Sequence, residues 1–374
     1  MYSWLSVEAL TGKVIAELPE FECQSVSKQI LDGSTASGGL PLTGKTPENW
    51  QRAVLEGGSA LVLVDDESLV PVWGGLVTHT VPDHTDRVPV SLATYETGYL
   101  ARRFVGDVEY EQVGAVDIIV DVLQKFVLTG SNGGIPMRIV VEGTSRGVVT
   151  DQTYQDTADK TVLSVLQTLS ALDGGPEWTV NWETKDSGQS YTPVFRISGT
   201  KLGSRTPAGL SPAATFEIPG PVTEVSLDRD YTDGSGANDI MATSTAAGAT
   251  RPQSEHVVVQ DPNRPTFELR FTPDTDVDDV DDRLDSFARA RATEVAEGSR
   301  TLALKAAVQD APRLGVDWSE GDDIGFVVGG LDRFGKDRVP AFPGGISGVV
   351  RAMGWVLDLD GLEQITPVLE GPAD

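Results

Sequence analysis

Along the first hundred residues, apolar positions alternate with polar ones or form short blocks. Tyr2-Ser-Trp4-Leu-Ser-Val7 and Lys13-Val-Ile-Ala-Glu17-Leu flank Thr11-Gly12; Ala60–Val64, Val70–Thr78 and Val88–Thr94 follow. A period of two marks strands, and Thr-Gly between two such runs marks a hairpin. The passage Leu31 to Thr46 is rich in Gly, Ser and Thr and reads as an exposed loop. Pro47 to Leu55 reads as a short helix with Thr46 as N-cap and Pro47 at its first position, stopped by Gly57-Gly58. The most organised stretch is Val72 to Phe104: two strand-like runs around a Pro/Asp/His turn, closing on Tyr99-Leu-Ala-Arg102-Arg103.

The period changes after Gly106. Val113, Val116, Ile119, Val120, Leu123 and Val127 recur at helical spacing, and a strand follows at Met137–Glu142. A second amphipathic helix starts near Thr157 or Asp159. It carries Val162, Leu163, Val165, Leu166, Leu169 and Leu172 and stops at Gly174-Gly175-Pro176. Strands resume at Trp178–Trp182 and Val194–Ile197. From Ala213 strands dominate: Phe216–Ile218, Val222–Leu227, Asp239–Thr243, His256–Gln260, Thr301–Val308, Ile324–Val328, Gly345–Met353 and Gly354–Leu369. One helix interrupts them, roughly 274–297. Val280, Leu284, Phe287, Ala288, Ala292 and Val295 form its apolar face, and Asp residues crowd its first turns, where the helix dipole favours them. The expectation is a mainly β chain with an α+β middle part: residues 1–106, 107–212 and 213–374 as three domains, the outer two barrel-like.

Composition narrows the function classes. The 374 residues carry a formal net charge of −27, which disfavours sequence-independent binding to phosphate backbones or anionic lipid. Cys23 is the single cysteine, so no disulfide framework or thiolate cluster forms within one chain. The start of the chain lacks a basic, then apolar, secretory signal, and no apolar run approaches the ~20 residues of a membrane-spanning helix. Folding in a cytoplasm is expected, with no membrane anchor.

Several motifs invite an enzyme. Gly39-Leu-Pro-Leu-Thr-Gly44-Lys45-Thr46 fits the phosphate-loop pattern, with Asp65-Asp66 after an apolar run downstream. A phosphate cradle must leave a buried strand and enter a helix; Pro41 removes an amide from it and a Gly/Ser passage precedes it. Gly143-Thr-Ser145-Arg-Gly147 fits a nucleophile elbow, but no helix pattern follows it. Asp274, Asp276 and Asp278 alternate like a calcium loop, yet Asp279 and Asp285 stand where that loop needs Gly and Glu; Asp228-Arg-Asp230-Tyr-Thr-Asp233-Gly234 reads as a polar turn. His79 and His84, with Asp83 and Asp86, flank a turn without further ligands. Trp178 and Trp182, with Tyr191, suit a sugar-stacking platform or, more commonly, a core. The residues therefore give no catalytic, cofactor or metal site.

Three stretches resemble the tail hub, or baseplate hub, proteins of siphophages, the minor tail proteins of phages infecting actinobacteria. They are Trp73-Gly-Gly-Leu-Val with Tyr99-Leu-Ala-Arg102-Arg103; Leu169-Ser-Ala-Leu-Asp-Gly-Gly-Pro-Glu-Trp178-Thr-Val; and Asn238-Asp-Ile-Met-Ala with the later helix, Gly315-Val-Asp-Trp318-Ser-Glu-Gly321-Asp322-Asp-Ile and Gly348-Val-Val-Arg-Ala-Met-Gly-Trp355. The resemblance implies a homotrimer at the tail tip. Two barrel-like domains per chain would build a pseudo-sixfold ring under the tube, and the α+β domain would project from it. It implies the distal tail protein, other tail-tip proteins and the tape measure protein as partners, assembly in the host cytoplasm, residence in the virion and a lumen for DNA. Acidic charge would keep that lumen from holding DNA, without sequence-specific binding. Tyr99, Arg102 and Arg103 are the candidate subunit contacts, or else pair within their own domain. The alternatives are a glycan-binding tail-tip module using Trp178, Trp182 or Tyr191, and a tail-associated cell-wall hydrolase; against the latter, no catalytic domain is expected after the last strands.

Overall fold

The computed structural model describes residues 2–130, 132–232, 234–244, 251–273, 281–296 and 298–370. Strand accounts for 43% of the chain and helix for 14%, so the fold is mainly β. Two compact units divide it: Met1–Glu224 with Leu304–Glu370, and a smaller one from Val225–Ala303.

The first unit opens with β1 (Tyr2–Glu8), β2 (Val14–Glu17), β3 (Glu22–Cys23), β4 (Ser25–Gln29), β5 (Thr35–Pro41), α1 (Trp50–Ala53), β6 (Ser59–Asp65), β7 (Pro71–Thr80) and β8 (Arg87–Ala93). All but β4 join one antiparallel seven-stranded sheet in the order β2-β1-β6-β7-β8-β5-β3. Ser-Ala-Leu-Val-Leu-Val-Asp makes β6 an interior strand of that sheet, between β1 and β7. An unbroken apolar run suits a strand covered on both faces, and all seven of its residues are buried. Trp4 packs edge-on against Phe21 and Trp73, at 5.2 and 5.9 Å between ring centroids. The Trp73 indole N–H donates to Ser27 O at 3.1 Å and lies 3.2 Å from Ser34 Oγ.

Two expectations for this part need correction. The passage 31–46 is not wholly a loop, since its centre is β5, paired residue for residue with β8 from Thr35↔Ala93 to Pro41↔Arg87. Its glycines are the reason it reads as loop and the reason it fits. A Cβ at Gly38 would run into the Phe21 ring, and one at Gly39 into the Arg87 guanidinium. The short helix is confined to Trp50–Ala53 with Asn49 at its N-cap position. Thr46 instead closes the preceding turn: Thr43 N donates to its Oγ1 at 2.7 Å, and that hydroxyl donates to Pro41 O at 2.7 Å.

The chain continues through α2 (Tyr95–Gly98), β9 (Val108–Gly114), α3 (Ala115–Phe126), β10 (Arg138–Glu142), β11 (Val149–Tyr154), α4 (Val162–Ser170), β12 (Glu177–Lys185) and β13 (Ser190–Ser198). Both expected helices are present. α3 begins at Ala115, so Val113 belongs to the strand before it, and it buries Val116, Ile119, Val122 and Leu123. Thr161 caps α4, its Oγ1 accepting from Ser164 N at 3.1 Å. β10 runs parallel to β13, and β12 antiparallel to it. The antiparallel ribbon of β9 and β11 was not expected. It pairs a strand alternating Val108 and Tyr110 inward with Glu109 and Glu111 outward. Gly74 of β7 leaves room for the Trp182 indole of β12, which a Cβ there would strike.

The remaining elements are β14 (Ala214–Ile218), β15 (Val222–Asp230), β16 (Asp239–Ala242), β17 (Val257–Val258), β18 (Glu268–Phe271), α5 (Asp281–Val295), β19 (Ser299–Ala307), β20 (Asp323–Val328), β21 (Ile346–Asp358) and β22 (Gln364–Leu369). The second large sheet has the order β14-β20-β21-β22-β19-β15, and β4 pairs with β21 as its seventh strand. The expected break between Met353 and Gly354 is absent. β21 is continuous over 13 residues, with its register against β22 shifting between Ala352 and Gly354. Gly354 is there because the Lys28 carbonyl of β4 occupies the space a Cβ would need. In the smaller unit, β17, β16 and β18 form a sheet, and Leu284, Ala288, Ala292 and Val295 of α5 are buried. Asp274, Asp276, Asp278, Asp279 and Val280, expected in the start of that helix, lie outside the described residues, as does Glu297.

Candidate functional site

Charged side chains gather in two contrasting places. The first is a buried polar seam within the larger unit, where β4, α2, β12, β21 and the turn before β20 bring Lys28, Glu96, Glu177, Asn181, Glu320, Arg351 and Trp355 together. Arg351 on β21 is 3% exposed. Its guanidinium grips the Glu177 carboxylate with both Nη atoms, one at 2.8 Å, and donates to Leu202 O at 3.1 Å and Gly321 O at 3.2 Å. Burial works against its charge, but the bonds to Glu177 and the nearby Glu370 and Asp323 hold its pKa above the ordinary value. Glu320 is also buried. It accepts from Asn181 Nδ2 at 2.8 Å, Trp355 Nε1 at 3.3 Å and Thr179 Oγ1 at 3.4 Å. Lys28 donates to Val180 O from β4. Beside it, Glu96 accepts from Val180 N at 3.2 Å, and burial pushes its carboxyl above the usual range against the pull of Lys28. The seam ties the first sheet, the α+β part and the second sheet with directional bonds; it presents no open face to a substrate.

The second place is the β20–β21 connection, residues 329–345. Phe334 is 72% exposed and Leu331 57%. Arg333, Lys336 and Arg338 are exposed beside them, and the Arg333 guanidinium lies 4.6 Å from the Phe334 ring centroid. The two carboxylates here bond the loop backbone: half-buried Asp332 accepts from Phe334 N and Lys336 N at 2.8 and 2.9 Å, and exposed Asp337 from Gly344 N at 2.7 Å. Positive φ at Gly329, Gly330, Gly335, Gly344 and Gly345 lets the chain fold back into this compact tip.

Of the expected contact residues, Tyr99 and Arg103 bind within their own chain. Arg103 Nε donates to Phe126 O at 2.7 Å and its Nη2 to Thr129 O at 2.9 Å, closing the end of α3, while its guanidinium sits 5.8 Å from the Tyr99 ring centroid. Tyr99 also lines a cleft of about 540 Å³ with Leu10, Leu55 and Ile135. Arg102 is exposed and has no ion-pair partner among the described residues. Among the described residues, the motifs set aside above make local structural bonds. Lys45 pairs with Glu20 at 3.1 Å, and Gly39–Pro41 lie in a strand. Asp65 accepts from Ser68 N at 2.8 Å; Ser145 Oγ donates to Gly199 O and accepts from Gly147 N, both at 3.2 Å. His256 Nδ1 lies 2.6 Å from Asp239 Oδ1, Asp230 accepts from Thr232 N, and Asp83 from Thr85 N. The sugar-platform reading of Trp178, Trp182 and Tyr191 is corrected: they are 0%, 8% and 1% exposed, and Trp178 stacks on Phe195 at 5.8 Å. Sequence reasoning missed both the seam and the tip.

No protein-family model and no curated protein matches the chain. Among solved structures, the fold is that of phage tail proteins. A 43 kDa tail protein of prophage MuSo2 from Shewanella oneidensis superposes with a TM-score of 0.56 at 14% identity, covering 98% of each chain. A tail protein from Neisseria meningitidis MC58 gives 0.55 at 14% identity, covering 99% of this chain and 96% of that one. A chain of the Francisella PdpA-VgrG complex gives 0.51 at 7% identity, covering all of this chain and 59% of the other.

Proposed function

We propose that the protein is a structural component of a phage tail, forming the hub at the distal end of the tail tube. The observation that carries this reading is whole-chain likeness of fold to two tail proteins, from the first strand to the last, with nearly complete coverage on both sides. Two seven-stranded sheets of comparable size in one chain support the finer reading. Three copies would supply six such sheets to a ring beneath a sixfold tube, closed by a repeated heterologous contact. The division into 1–106, 107–212 and 213–374 describes the parts that ring would use. Arg102 is the candidate contact left free for a neighbour. The hub would join tube to tip, meet the distal tail, tape measure and other tail-tip proteins, assemble in the host cytoplasm and persist in the virion. The formal charge of −27 suits a lumen that does not retain DNA.

Light scattering on the full chain tests this together with electron micrographs. A trimeric mass and ring-shaped particles that incorporate into tails are expected. A monomer at every concentration that never associates with tail proteins would sink the reading.

A further inference from the structure

From the two charge patterns on the larger unit, we infer that the β20–β21 tip of one copy docks on the β9–β11 ribbon of a second copy. The inference rests on the ring proposed above and names the contact that would close it. The tip holds Arg333, Lys336 and Arg338, none of them in an ion pair among the described residues, around an exposed Phe334. Residues 331–338 carry three cations and two carboxylates, a local charge of +1 in a chain of −27. Both carboxylates accept from backbone N–H groups of the loop and keep their charge, so the tip presents a net positive excess around Phe334 rather than cations alone.

The ribbon has the opposite character. Asp107, Glu109, Glu111, Asp151, Asp156 and Asp159 are all exposed, and Lys160 is the one cation over 107–112 and 149–160. None of the six carboxylates has an ion-pair partner among the described residues. Two of them are fixed in place: Asp107 Oδ1 accepts from Asp156 N at 2.8 Å, and Asp151 Oδ1 from Gln112 N at 2.6 Å. Val149, 56% exposed on the same ribbon, offers an apolar spot to Phe334. An exposed aromatic flanked by Arg is the kind of residue enriched at interface centres, and the carboxylates opposite it supply the complementary charge. Opposed charges of this kind steer encounter and fix register. Tip and ribbon are different surfaces of one chain, so the contact is heterologous and repeats from copy to copy.

The experiment is light scattering of the full chain over a concentration and salt series. It compares wild type, R333E/K336E/R338E, E109K/E111K/D156K and the combined six-fold variant, each verified as folded by its circular dichroism. Each triple reversal is expected to raise the concentration of half-assembly at least tenfold, and the combined variant to return it toward wild type. F334A should raise it as well, while leaving the salt dependence intact. Assembly indifferent to either reversal overturns the inference and leaves the ring reading standing. So does failure of the combined variant to recover. A wild type monomeric throughout overturns both readings. Binding of duplex DNA or anionic vesicles that is lost in R333E/K336E/R338E while assembly is unchanged would reassign the tip and overturn the contact.

Discussion

The buried seam and the exposed tip use the same residue types to opposite ends. Arg351 and Arg333 are both guanidiniums on the β20–β21 hairpin. Arg351 is sealed between two sheets and meets a carboxylate, two carbonyls and a second acid; Arg333 faces water with an aromatic ring beneath it. Desolvation makes a charge costly and its partner indispensable, so the seam is organised for geometry within the chain. Solvent makes a charge cheap to keep unpaired, so the tip is free for another molecule. Burial, rather than residue type, separates the charges that hold the fold from those that remain available.

The largest test of that contrast is Arg351→Ala. It strands Glu177 inside the seam and should lower unfolding free energy by about 3–5 kcal/mol in urea titration. Replacing both partners, as R351M/E177L, should recover much of the loss, because the uncompensated charge is gone. If Arg351→Ala costs no more than a surface change, the seam does not behave as a buried network. Next in size is Glu320→Gln, which sets an amide donor against the N–H groups of Asn181 or Trp355 and should cost about 1–3 kcal/mol in the same titration.

Glu96 gives the contrast a pH signature. Its folded pKa is raised above 4.5 by burial, so between the ordinary and folded values the native state holds a proton that the unfolded state has released. Wild-type stability therefore falls as pH rises through that window. Glu96→Gln removes the penalty, so stability relative to wild type should move in favour of Gln as pH rises above 4.5. A flat difference across the acid range would show that Lys28 compensates the charge fully. Smallest on stability is the tip: R333E/K336E/R338E should shift unfolding by less than ~0.5 kcal/mol while altering assembly.

Periodicity was enough for most strands and for α3 and α4, because each buries a continuous apolar stripe. It failed where a partner rather than a pattern decides. Gly38 and Gly39 are strand residues because they pair with Val90 and Pro89 of β8, Gly38 leaving room for the Phe21 ring, and Gly354 continues a strand because the Lys28 carbonyl passes beside it. The β9–β11 ribbon hid behind its own charge, as Glu109 and Glu111 made a half-buried strand look like a polar connection. Neither charged site was legible. The seam collects residues from 28 to 355, and no local spacing announces it. The tip reads as a Gly-rich turn until the exposure of Phe334 is known. For Arg103, sequence gave the cluster but left open whether it faced a neighbour or its own domain; within the chain it closes α3.

The excursion of β4 into the distant sheet sets a timetable for making the molecule. Val26 lies opposite Leu357, so a ribosome adding about 5–20 residues per second leaves β4 without its partner for roughly 15–65 s. Once Ala93 has been added the first sheet has all of its own strands and is able to close, while Ser25–Gln29 remains an open edge among crowded nascent chains until Leu357 emerges. Chains halted before Ile346 should then be the aggregating species, bound by chaperones through β4. The last strands to emerge complete a structure whose first thirty residues have been waiting for them.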